Sequence, residues 1–251
     1  MGNARTGPTT LRRAVDRARL YARRPVARTP YLWDAAMRVR PEKYATVARP
    51  GTAIVIEGFM RSGNTFSVAA FEVANGPAHV GRHMHGAPHV LRAVRLGIPA
   101  IVLIRPPRDA VLSYVVRRDT LSPHHALIEY LDFYRTAWPV RDGFVVGLFD
   151  RVISDFGGVI DEVNARFGTS FRRFEHTPEN EARAFRLVEE LDRLDSDGEV
   201  RETHVGRPSA ARTRRKDELR ALLDRPATAA KLREAELLHQ RYAALAAERS
   251  R

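Results

Sequence analysis

The sequence predicts an α/β fold, three layers deep, with a parallel sheet at its centre. Two apolar runs carry the prediction. Ala53 to Ile56 and Ala100 to Ile104 are short and continuous, as strands covered on both faces are. Each leads through a polar loop into a segment of helical periodicity, Phe66 to Ala74 in one case and Ala110 to Val115 in the other. A third run, Gly143 to Phe149, reads as another strong strand. A length of 251 residues suits one such domain with a substantial core. Residues 51–251 are read as that domain, and residues 1–50 as a basic helix and lead-in segment before it.

The first strand–loop–helix unit is the most informative. Gly58 and Gly63 stand at the spacing of a P-loop, and Thr65 fills its last position. The predicted topology is therefore that of the P-loop NTPases. Yet Asn64 replaces the lysine, and the cation, Arg61, sits two residues before Gly63. An NTPase needs its lysine on the β- and γ-phosphates and a hydroxyl on magnesium. A cation inside the loop, small polar neighbours and a helix N-terminus instead describe an anion cradle that needs no metal.

Composition narrows the classes. The chain has no cysteine, which excludes disulfides and thiolate metal sites. No apolar run reaches the length of a membrane span or a signal peptide, so a cytoplasmic protein is expected. The net charge is +12 and rests almost wholly on arginine, the residue for bidentate phosphate and sulfate recognition. A polyanionic ligand or surface fits this balance. No nucleic-acid partner is expected, because no RNP motif, zinc-finger spacing or helix-turn-helix is found.

Along the chain, Thr9 or Thr10 is placed to cap a helix running through Arg24. Met1 to Pro8 reads as disordered. Leu11, Ala14, Val15, Ala18 and Tyr21 share one face of the helix, and arginines crowd the others. A surface helix packed on the domain by that small apolar face is favoured. Peripheral contact with an anionic membrane is the alternative. Pro25 to Gly51 reads as a proline-punctuated lead-in. Its Tyr31 and Trp33, with a helix from Leu121 to Trp138 started by Ser122-Pro123, are candidates to line an acceptor site.

Four of the nine histidines fall between His79 and His89. His83 and His85 stand near the end of a short strand flanked by Val80 and Met84. His-x-His can present two imidazoles on one strand face to a metal. However, no acidic residue occurs between Asn75 and Pro107. A general base beside an anion site is more economical, and ordinary hydrogen-bonded histidines remain the plain alternative. Arg105 ends the second strand, where open α/β sheets bind ligands, and Ser113 lies one turn into the following helix.

Later segments are read as a helix from Val159 to Phe167 ended by Gly168, a short strand from Phe171 to Phe174, and a helix from Pro178 to Leu194. Asp195 to Arg212 reads as a basic flap. Charged helices from Leu219 to Ala247, broken at Pro226, close the chain.

Two of these motifs together resemble the sulfotransferases that use 3′-phosphoadenosine 5′-phosphosulfate (PAPS). The first is Arg61-Ser62-Gly63-Asn64-Thr65-Phe66 after a strand. The second is Arg105, Pro107, Asp109 and Ser113, with eight residues from arginine to serine. The resemblance covers Ala53 to Ser113 strongly and the later segments weakly. It implies that PAPS is the co-substrate and that no metal is used. Arg61, Ser62, Gly63, Asn64 and Thr65 would hold the 5′-phosphosulfate, with Phe66 near adenine. Arg105 and Ser113 would hold the 3′-phosphate, closed over by Arg207 or Arg212 of the flap. The flap lacks the Arg-Lys-Gly signature of cytosolic members. Cytosolic members also have lysine at the position of Arg61, whereas arginine there is familiar from the carbohydrate-modifying branch. His85 falls at the family's base position, with His83 its rival. The acceptor implied is a hydroxyl of a glycan, a lipid headgroup or a small alcohol. A P-loop kinase-like enzyme and a non-catalytic protein binding nucleic acid or an anionic surface are the competing classes.

Overall fold

The computed structural model describes residues 10–43, 45–194 and 210–250. The elements run α1 (Thr10–Arg28), α2 (Pro30–Arg38), β1 (Ile54–Gly58), α3 (Asn64–Asn75), β2 (Val80–Arg82), α4 (Ala87–Arg95), β3 (Ala100–Ile104) and α5 (Pro107–Arg117). Then follow α6 (Pro123–Ala137), β4 (Val145–Leu148), α7 (Phe149–Ser154), α8 (Phe156–Phe167), α9 (Pro178–Leu194), α10 (Ala210–Arg220) and α11 (Pro226–Arg249).

The four strands form one parallel sheet in the order β2-β1-β3-β4. Parallel strands need crossovers, and the crossovers cover both faces. That explains why every residue of β1 and β3 is buried, and why β3 is a continuous apolar run and β1 one from Ile54 to Ile56. One face packs on α4, α5, α6 and α11 through Val55, Val102, Ile104, Val90, Val111, Tyr130 and Tyr242. The other packs on α3, α8 and α9 through Ile54, Ile56, Leu103, Phe71, Ile160 and Val188. Each fully buried aliphatic side chain contributes roughly 1.5–3 kcal/mol. The result is the three-layer α/β architecture, with a central parallel sheet, that the apolar runs predict.

The topology also fixes where a ligand can sit. β1 and β3 are neighbours, with Gly58 opposite Leu103 at their C-terminal ends. A Cβ at position 58 would collide with the Leu103 carbonyl, so glycine lets the two strands approach there. The helices that follow, α3 and α5, lie on opposite faces of the sheet. The two connections therefore diverge and leave a crevice at the strand ends.

Three expectations are corrected. Phe171 to Phe174 is not a strand. Its backbone bonds to side chains: Asn164 pairs with both backbone groups of Phe171 at 2.8 and 2.9 Å, and Asn75 with both of Arg172 at 3.2 and 2.8 Å. Two asparagine amides satisfy what a neighbouring strand would have satisfied.

The lead-in is not mere punctuation. α1 continues past Arg24 through Pro25 to Arg28, and Pro30 then opens α2 at its first position.

The third correction concerns how α1 packs. Leu20 is its one buried residue among those described, and Arg24 binds Asp132 of α6 at 2.6 and 3.0 Å. Leu11 and Val15, expected to face the domain, are exposed, whereas Tyr21 packs edge-on against His125 of α6 at 6.1 Å. Thr9, Met1 to Pro8 and the flap residues 195–209, including Arg207, lie outside the described residues. Ala210 to Arg212, read as the end of the flap, form the first turn of α10.

Candidate functional site

The loop after β1 is wound around two left-handed residues, Arg61 (φ 67°) and Gly63 (φ 94°). Gly63 opens α3, and no side chain caps that helix. The first-turn N–H groups of Asn64, Thr65 and Phe66 therefore face the loop without intrahelical acceptors. Together with the positive end of the helix dipole they make an anion seat.

The loop is held from beneath. Ser62 is fully buried, and its Oγ lies 3.4 Å from the Tyr134 hydroxyl. Tyr134 donates to the Leu103 carbonyl at 2.7 Å and receives the Phe59 N–H at 3.3 Å. Burial pushes the Tyr134 hydroxyl well above its ordinary value, so it stays protonated and able to donate. Asn64 turns inward as well, its Nδ2 donating to the Phe59 carbonyl at 3.0 Å. What Ser62 and Asn64 offer outward is backbone, while their side chains keep the loop in shape.

The cations meet at its rim. Arg61 Nε donates to Ser113 Oγ at 3.1 Å, across fifty-two residues of chain. Arg105 Nη1 donates to the Arg61 carbonyl at 3.2 Å. The Arg105 guanidinium also lies over the Phe149 ring, 3.9 Å from its centroid. Thus the loop, the end of β3 and the middle of α5 put Arg61, Arg105 and Ser113 in one place. Ser113 accepts from Arg61 and keeps its own O–H to give. Phe66 packs among Phe174, His176 and Phe185, at ring separations of 6.1, 6.1 and 5.9 Å. Arg212 lies in α10, and its side chain is outside the described residues.

The histidines stand after β2, at the base of the loop. His83 and His85 are both left-handed, with φ of 57° and 47°, and their rings stack 5.9 Å apart. His85 Nδ1 lies 3.2 Å from the Gly58 carbonyl. A carbonyl only accepts, so Nδ1 carries the proton and Nε2 the lone pair. Burial pulls the His85 imidazole below its ordinary value, opposed in part by the Glu57 carboxylate. The side chain is therefore proton-free at Nε2 near neutral pH. His83 differs. Its Nδ1 faces Arg82 Nη1 at 3.1 Å, and a guanidinium only donates, so that lone pair is engaged.

Besides Tyr134, three residues given no role in the sequence analysis support this arrangement: Glu57, His89 and Phe149. Glu57 is fully buried in β1. Its Oε1 accepts the Met84 N–H at 2.8 Å and His89 Nδ1 at 2.9 Å, and its Oε2 accepts the His85 N–H at 3.1 Å. These donors hold its carboxyl below the ordinary value in spite of burial. His89 is oriented in turn, since its Nε2 accepts the Ala48 N–H at 2.8 Å. Phe149 carries Arg105. A lone charge inside an apolar strand was the available signal for Glu57. Trp33, expected to line an acceptor site, is only 4% exposed and stacks on His89 at 5.5 Å. It supports the histidine network rather than an open pocket, while Tyr31 is exposed. Among the described residues, no group of three or more His, Asp or Glu is placed to hold a metal ion.

No protein-family model matches the chain, and no curated protein matches it. Among solved structures, the chain is similar to mouse sulfotransferase SULT7A1 complexed with PAP. The identity is 13% over 77% of this chain and 91% of that one, with a TM-score of 0.38.

Proposed function

We propose that the chain is a PAPS-dependent sulfotransferase that moves a sulfuryl group to a hydroxyl acceptor. The observation that carries this reading is the contact of Arg61 with Ser113, with Arg105 bonded to the same loop. It joins the two sequence motifs of the resemblance into one anion-binding rim. The residues fit the co-substrate: a loop with first-turn N–H groups for one anionic group, and Arg105 with the Ser113 hydroxyl for a second.

His85 is the base of this reading. Its Nε2 takes the acceptor hydroxyl proton as the new sulfur–oxygen bond forms. The bond from sulfur to the phosphate oxygen breaks in line, and negative charge grows on that oxygen. Arg61 and the loop N–H groups stabilise it with donors already in position. Holding the reacting atoms about 3 Å apart supplies much of the rate.

The kinase-like alternative is weakened by Asn64. At the P-loop lysine position this chain has a short amide turned into the core toward Phe59. The direct test is thermal unfolding of the protein with 3′-phosphoadenosine 5′-phosphate. Saturating ligand raises the midpoint, and at 100 times Kd the gain is about 2.7 kcal/mol. No shift at millimolar ligand overturns the assignment.

A further inference from the structure

α1 turns its apolar stripe away from the protein. At 100° per residue, Leu20 and Arg24 point to the body, where Arg24 pairs with Asp132. The opposite side of the cylinder carries Leu11, Val15, Ala18 and Ala22, while Tyr21 turns toward the body, its ring edge-on to His125 of α6 at 6.1 Å. Leu11 is 74% exposed and Val15 40%. Arginines flank this face: Arg12, Arg19 and Arg23 run along one edge, and Arg17 and Arg28 lie further round on the other side, past Ala14 and Tyr21. The helix holds seven arginines and one acidic residue, Asp16, which lies near Arg19 and Arg118.

We propose that this outward face docks the protein on an anionic lipid bilayer, with α1 lying in the plane of the headgroups. Charge and apolarity are arranged as such a surface requires. The stripe enters the acyl boundary, and the arginine rows on either side meet lipid phosphates. A second copy of the chain fits poorly, because two such faces packed together would bring their arginine rows close to one another. Nucleic acid would use the arginines and leave the stripe without a role. Both N-terminal helices pack on α4, the helix that follows His83 and His85, so docking holds that side of the sheet near the bilayer. The inference does not depend on the sulfuryl-transfer reading.

The test is flotation of the full chain with vesicles of phosphatidylcholine, with and without phosphatidylglycerol. Binding is expected only with the anionic lipid, and it weakens as salt rises. Leu11→Asp with Val15→Asp, and separately Arg19→Gln with Arg23→Gln, each lower vesicle affinity at least roughly tenfold. Both pairs keep close to the wild-type unfolding midpoint, because Leu11, Val15 and Arg23 face outward and Arg19 loses only an i,i+3 pair with Asp16 made by an exposed guanidinium. Binding of 3′-phosphoadenosine 5′-phosphate is unchanged in both pairs. Absence of flotation with anionic vesicles overturns the proposal, as does flotation that ignores the Leu11 and Val15 changes. A concentration-dependent dimer lost in that same variant, without vesicle binding, assigns the face to self-association and likewise overturns it.

Discussion

Glu57 and His89 form a fully buried pair at 2.9 Å, and the Ala48 N–H on the far side of the ring leaves its proton on Nδ1, facing the carboxylate. Glu57 thus gathers one imidazole and two backbone N–H groups, those of Met84 and His85. The strand carries a charge in its interior because that charge fastens the histidine loop to the sheet.

Replacing Glu57 by Gln sets an amide against this ring of donors. Two N–H groups can still be accepted, and the third meets another donor. The expected cost is about 1–3 kcal/mol, a fall of roughly 2–12 °C in the midpoint for a chain of this size. The pH dependence has a definite sign. The Glu57 carboxyl is held below its ordinary 4.5, so its stabilisation is complete above that pH and is lost as pH falls through the folded value. The gap between wild type and E57Q therefore closes in acid, which thermal unfolding across pH measures.

Glu57 also bears on the pH profile of the proposed reaction, through His85. Burial lowers the His85 imidazole from its ordinary 6.5, so the base is ready at neutral pH. The acid limb of turnover is expected below pH 6.5. Glu57 opposes that lowering, so in E57Q the limb moves further into acid. A limb above 6.5, or one that moves upward in E57Q, contradicts this placement of the base. His85→Ala abolishes turnover and keeps nucleotide binding, whereas full activity in that variant moves the base to His83 or elsewhere.

Arg61 and Ser113 separate binding from chemistry. Ser113→Ala removes one hydroxyl and weakens nucleotide affinity by about 2–10-fold. Arg61→Ala removes the cation from the leaving group and lowers kcat by about 10²–10³-fold. Arg105→Ala weakens nucleotide binding by roughly 10–100-fold, as expected for a lost charge-assisted bond. Calorimetric titration with 3′-phosphoadenosine 5′-phosphate, set beside turnover, distinguishes the three.

What the sequence made legible follows from locality. β1, β3 and β4 stood out because both their faces are covered, which leaves apolar runs, in β1 over Ile54 to Ile56 ahead of Glu57. Gly168 ended α8 as a left-handed cap, and Ser122 capped α6. Phe171 to Phe174 misled because its backbone partners are Asn75 and Asn164, side chains that no strand pattern includes. The stripe on α1 misled because periodicity locates a face without saying what it meets. At the candidate site, Arg61, Arg105 and Ser113 lay in motifs, and the structure adds that they touch. Glu57, Phe149 and Tyr134 were hidden because each acts on a partner far away in sequence. Trp33 looked like a pocket aromatic until its stacking on His89 was seen.

Tyr134 tests whether the anion loop depends on its foundation. The hydroxyl donates to Leu103, accepts from Phe59 and sits near Ser62, all in the interior. Tyr134→Phe keeps the ring and leaves the Phe59 N–H and the Leu103 carbonyl short of a partner. About 1–3 kcal/mol of stability is expected to go, with the midpoint falling by roughly 2–12 °C. Ser62→Ala loses only the 3.4 Å contact and is expected to change the midpoint little. Because Phe59 begins the loop, Tyr134→Phe also loosens the cradle, and nucleotide affinity falls although Tyr134 lies beneath it. If affinity holds while the midpoint drops, the hydroxyl serves the core alone and the loop keeps its shape through Asn64 and the left-handed turns at Arg61 and Gly63.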